Sequence, residues 1–150
     1  MSSVTENVQW LEDLAAIKQL KADYCFFADI WKGPGDRAER FAALFTQDAQ
    51  WSGAGMTCTG PANIAAELKT FPESMGIETA LHFAVNPRID IQGDTASGTW
   101  HFLLSLILKG RREPVWMCGM YFEDYRRTPE GWRFARVTAE TAIAPDFGQS

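Results

Sequence analysis

Apolar residues recur at three- and four-residue steps through Leu11, Leu14, Ile17, Leu20, Tyr24 and Phe27, which predicts an amphipathic helix from Val8 to about Trp31. Thr5 or Asn7 is placed to cap its start. Gly33-Pro34-Gly35 ends it, because proline cannot continue a helix and glycine favours turns. A second helix is expected over 36–45, with Phe41, Leu44 and Phe45 on its apolar face. Residues 49–52 read as a short strand. Gly60-Pro61 opens a third helix, with proline in its first turn, running to about Phe71; Pro72 and Gly76 mark a loop. From Thr79 the pattern turns to strands, at about 80–91, 95–109, 114–127 and 131–142, with turns at Gly93-Asp94, Gly110 and Pro129-Glu130-Gly131.

Helices followed by an antiparallel meander predict an α+β fold, with three N-terminal helices on one face of a curved antiparallel sheet. One domain is expected over 1–150, with no internal repeat. Two strands have no polar side. Trp100, Phe102, Leu104 and Leu106 lie on one parity and Leu103 and Ile107 on the other, and 115–122 is apolar throughout. A half-solvated sheet alternates, so the outer face calls for a cover, expected to be another copy of the chain.

Composition narrows the partners. Apolar residues make up 46% and charged residues 22%, with a net charge of −5 and no basic block, which argues against nucleic acid or an anionic membrane. Neither a secretory leader nor a membrane-spanning stretch is legible. Cys25, Cys58 and Cys118 form no metal-type pair and suit a reducing, cytoplasmic compartment. With only two histidines, no metal site or other cofactor is expected. Six Trp and ten Phe can wall a pocket for a small apolar ligand or fill a core.

The candidate chemistry starts from Asp29, a carboxylate among Tyr24, Phe26, Phe27 and Trp31 that needs solvent or a partner. His82 lies on a strand face with Ala84, Asn86 and Arg88. A tight turn at Gly93-Asp94 pairs Asn86 with His101 and Ser105 with His82, which gathers a polar cluster on one face. Arg136 shares parity with Trp132 and Phe134, and either snorkels at the sheet edge or enters a cavity. Tyr24 serves equally as core or as catalytic group.

Residues 17–20 (IKQL), Tyr24, Asp29, 43–51 (ALFTQDAQW), 81–83 (LHF), 86–89 (NPRI), 93–96 (GDTA), 121–127 (YFEDYRR) and 131–134 (GWRF) together resemble the SnoaL-like, nuclear-transport-factor-like superfamily. The resemblance covers nearly the whole chain and implies a cone-shaped α+β barrel enclosing a pocket. It is nearest to the superfamily's cofactor-independent lyases: hexachlorocyclohexane dehydrochlorinases, bile-acid 7α-dehydratases and scytalone dehydratases. It implies an Asp29–His82 dyad, with Tyr24 and Arg136 as further catalytic residues and Trp51 as a pocket residue. His101 answers to a second strand histidine, and trimers are implied.

The expected reaction is general-base elimination from a small apolar cyclic substrate. His82 takes a proton from carbon and Asp29 fixes its tautomer. Tyr24 and Arg136 polarise a carbonyl or assist departure of hydroxide or halide. Trp51, Phe27 and Phe83 hold the ring, beside His101 and Asn86. The superfamily also holds ketosteroid isomerases, polyketide cyclases, non-catalytic binders and dioxygenase small subunits, so these stay open as alternatives.

Overall fold

The computed structural model describes residues 3–147. Helices α1 (Val4–Ala28), α2 (Arg37–Ala42) and α3 (Pro61–Ser74) accompany six strands: β1 (Phe45–Gly53), β2 (Met56–Thr59), β3 (Ile77–Gln92), β4 (Thr95–Leu108), β5 (Val115–Thr128) and β6 (Gly131–Ile143). The sheet order is β2-β1-β6-β5-β4-β3. The meander β3–β6 is antiparallel as expected, but β1 runs parallel to β6, so the sheet is mixed, and it stays unclosed between β2 and β3.

Element ends differ where side chains intervene. Ser3 caps α1, rather than Thr5 or Asn7: its hydroxyl accepts from the Glu6 N–H, and the Glu6 carboxylate accepts the Ser3 N–H. The second helix stops at Ala42 because the Leu44 carbonyl accepts the Phe134 N–H, drawing Phe45 into the sheet. Helix α3 continues past Pro72, closed by Ser74 Oγ and the Met75 N–H on the Phe71 carbonyl.

Bulges correct the expected register twice. β3 pairs with β4 as a tight hairpin from Gln92↔Thr95 to Arg88↔Thr99, then slips at Asn86-Pro87. Asn86 is left-handed, with φ 54°, and Pro87 has no N–H for the ladder. Beyond the slip His82 faces Leu104 rather than Ser105, and His101 faces Val85 rather than Asn86. In β6, Phe134 pairs with Tyr125 but Arg136 pairs with Asp124, so Ala135 is the extra residue. Trp132, Phe134 and Val137 therefore point inward, and Arg136 turns outward. Such bulges sharpen twist and bending, which curves the sheet around the helices.

The buried face of α1 also departs from the expected stripe. It runs through Asp13, Ile17, Leu20, Lys21, Tyr24 and Ala28, while Leu11 is exposed. Both buried charges are matched. Asp13 accepts two 2.7 Å bonds from Arg127, one from Trp132 Nε1 and one from Gln9. Arg127's hydrogen bonds hold the Asp13 carboxyl below its ordinary value of 3.8, against the opposing effect of burial. This stabilisation is complete above that value and is lost as pH falls through the lowered one. Asp13→Asn is expected to cost about 2 kcal/mol at neutral pH. Its unfolding midpoint should then change less than the parent's below about pH 4, as urea titrations at several pH values would show.

Candidate active site

Asp29 is placed by a helix end. Helix α1 stops at Ala28, and Asp29 turns to an extended conformation (φ −59°, ψ 143°). Arg37 reaches back to the carbonyls of Phe27, Ala28 and Asp29, supplying the positive charge that the last turn of α1 lacks. Ile30 then forms a single antiparallel bridge to Ala80 on β3. That bridge sets Asp29 beside His82. Asp29 Oδ1 accepts the His82 backbone N–H at 2.7 Å and lies 3.1 Å from His82 Nδ1. Side-chain exposures of 15% for His82 and 19% for Asp29 leave the pair reachable but mostly withdrawn from water. A carboxylate can only accept, so in this contact a neutral imidazole would carry its proton on Nδ1 and leave the Nε2 lone pair free.

His82 lines a cavity of about 140 Å³ between the helices and the inner sheet face. An apolar cavity of about 150 Å³ is known to accept a benzene ring. The walls are mainly apolar: Phe41, Trp51, Met56, Ile64, Leu68, Phe71, Phe102, Leu104 and Met117. The polar groups that line it are Tyr24, Tyr121, Cys58, Thr141, Glu67 and His82. Tyr24 Oη accepts the Trp51 indole N–H at 2.8 Å, which leaves its own proton to donate. Burial pushes the Tyr24 phenol well above its ordinary value, so it acts as a donor and not as a base.

The structure thus brings Tyr24, Asp29, Trp51 and His82 together. It does not bring the other expected site residues into this cavity. Arg136 is exposed and pairs with Asp124 at 2.8 Å on the outer face. His101 also lies outward, between the buried Trp100 and Phe102 of β4, and Phe83 lies outward beyond the Asn86-Pro87 slip of β3. Asn86 is exposed in the bulge itself. Phe27 packs beside the core, in ring contact with Phe26 and under Arg40, and does not line the cavity. Among the described residues no group of three or more His, Cys, Asp or Glu is arranged to hold a metal, and no helix is long and apolar enough to cross a membrane.

Residues 9–138 match the sequence pattern of the SnoaL-like domain. The chain belongs to the SnoaL-like family. Among solved structures, this SnoaL-like chain resembles hexachlorocyclohexane dehydrochlorinase LinA-type3 from Novosphingobium barchaimii LL02, with a TM-score of 0.79, 20% identity and 91% of each chain covered. It also resembles a protein described as a candidate scytalone dehydratase from Novosphingobium aromaticivorans, with a TM-score of 0.77, 22% identity, and 91% and 88% coverage. At these identities the likeness establishes the fold. An uncharacterized protein of Mycobacterium tuberculosis H37Rv is 36% identical over 56 residues, 37% of this chain and 38% of that protein.

Two features escaped the sequence reading. Lys21 and Glu123 form a fully buried ion pair at 2.5 Å behind the cavity wall, with Lys21 Nζ 3.7 Å from the Tyr24 ring centre and 3.4 Å from that of Tyr121. The partners are 102 residues apart, beyond any local pattern. Glu67 lines the cavity from α3, and its signal was available: it interrupts the stripe Ile64, Leu68, Phe71.

Proposed function

We propose that this chain is a cofactor-free lyase of the dehydratase type, acting on a small cyclic substrate through the Asp29–His82 pair. The observation that supports it is the Nδ1 contact to Asp29, which frees Nε2 of a cavity-lining histidine to act as base. His82 takes the proton from the carbon beside a ring carbonyl, and the electron pair moves onto the carbonyl oxygen. Tyr24 donates a hydrogen bond to that oxygen without releasing its proton. As the enolate collapses, the carbon–oxygen bond on the adjacent carbon breaks. The departing hydroxide takes the proton from the His82 imidazolium and leaves as water, which restores the base.

The cavity favours water over halide as the leaving group. With Arg136 outside, neither Arg nor Lys lines it among the described residues, so no fixed cation meets a departing halide. A screen over cyclic β-hydroxy ketones and halogenated rings tests the proposal. Water release with formation of the conjugated enone is expected. Rearranged product without water would assign the same base to isomerase or cyclase chemistry, and binding without turnover would support a non-catalytic role.

The outer sheet face supports a homo-oligomer, and a trimer is what the resemblance to the family's lyases implies. Phe83, Val85, Leu103, Trp116 and Phe122 are all at least one-third exposed there. Contiguous apolar surface of this kind marks an interaction site. Light scattering at micromolar concentration is expected to give a multiple of the chain mass; a monomer would contradict the assembly.

A further inference from the structure

Helix α3 presents Ile64, Glu67, Leu68 and Phe71 to the cavity, the i, i+3, i+4, i+7 positions of one helical face. Three of the four are apolar, and a carboxylate takes the fourth. The other charged residues of α3 have partners: Lys69 pairs with Glu39, and Glu73 with Lys109. Among the described residues the Glu67 carboxylate makes no hydrogen bond or ion pair, and only its backbone carbonyl accepts a side-chain donor, from Thr70 Oγ1. It is half-buried, so water reaches it while the cavity is empty. Its charge also reaches the buried Cys58 thiol on the β2 wall, adding to the larger effect of burial in pushing that thiol up.

An apolar ring entering this cavity strips water from Glu67. Desolvating an ionised carboxylate costs free energy unless the ligand supplies a donor. We infer that Glu67 is a specificity residue: it selects single-ring ligands carrying a hydroxyl or ammonium donor and rejects those carrying a carboxylate. The cavity volume limits the ring count, and the lack of lining cations leaves an anionic ligand without a counter-charge. The inference rests on the cavity being the ligand site, as proposed above, but not on His82 being the base.

Titration calorimetry of the full chain at neutral pH, with toluene, benzyl alcohol, benzylamine and benzoate, tests it. Benzyl alcohol or benzylamine is expected to bind about tenfold more tightly than toluene, with benzoate weakest, as one hydrogen bond to a charged group allows. Benzylamine leading names an ammonium as the recognised group; benzyl alcohol leading names a hydroxyl. Glu67→Gln should narrow the gap between benzylamine and benzoate about tenfold, and Glu67→Leu should also erase the preference for the alcohol. The same order and spacing in both variants would overturn the inference, as would failure of all four probes to bind. If Glu67→Leu does not fold, Glu67→Gln carries the test alone. Binding of these unreactive probes needs no turnover, so it is measured apart from activity on a β-hydroxy ketone. Loss of discrimination at Glu67 and loss of turnover at His82 are therefore read separately.

Discussion

His82→Ala is expected to lower kcat/KM about 10²–10⁴-fold while circular dichroism and the thermal midpoint stay near those of the parent. The size follows from the role. Removing a general base forfeits the proton-transfer term and leaves binding and the Tyr24 hydrogen bond in place. The fold survives because the imidazole lines the cavity and does not fill the core. Asp29→Asn sharpens the test. The amide oxygen still accepts the His82 backbone N–H, so β3 stays docked to the end of α1. Because Asp29 Oδ1 faces both the backbone nitrogen and Nδ1 of His82, the amide oxygen also keeps the Nδ1 contact, and what Asn removes is the negative charge that stabilises the imidazolium. A histidine without that counter-charge is a weaker base, and a loss within the same range of about 10²–10⁴-fold is expected. Full activity in either variant on the true substrate would remove the dyad from the mechanism.

The largest expected effect on stability comes from Glu123→Gln. It removes the counter-charge from Lys21, whose ammonium is buried to 1% exposure between two tyrosine rings. Burial pushes Lys21 below the ordinary lysine value, and the Glu123 carboxylate opposes that push. Without the carboxylate, folding must discharge the amine or bury it unpaired. Breaking such a pair costs about 3–5 kcal/mol. Glu123 also accepts from Tyr125, whose hydroxyl in turn accepts the Trp100 indole N–H, so the damage spreads across β4 and β5. Lys21→Met combined with Glu123→Gln should recover much of the loss, because no unpaired charge remains. Chemical denaturation of both single variants and the double variant measures the coupling. Additive losses would show that the pair is not a unit.

The fold was legible where one residue's pattern suffices. Turn residues at Gly93-Asp94, Gly110 and Gly131 located β3–β6, and Gly60-Pro61 located α3. The parallel β1–β6 pairing was not legible, because it joins segments about 85 residues apart that share no turn. The site was legible at Asp29 and His82 because each breaks the apolar character of its own neighbourhood. His101 and Arg136 were misplaced for one reason. A single extra residue reverses the face of everything beyond it: Ala135 turns Arg136 outward, and the Asn86-Pro87 bulge turns His82 to the face opposite His101. Pro87 carried a hint, since proline interrupts a ladder. Ala135 carried none. Nothing in the local sequence marks Lys21 or Glu123 as buried, and only the folded structure brings them against each other.

The proposed chemistry depends most directly on which imidazole nitrogen of His82 bears the proton. Long-range proton–nitrogen correlation on ¹⁵N-labelled protein, at a pH where His82 is neutral, reads this without knowledge of the substrate. The account predicts a protonated Nδ1 and a bare Nε2. A protonated Nε2 in the parent protein would leave the cavity without its base and contradict the assignment.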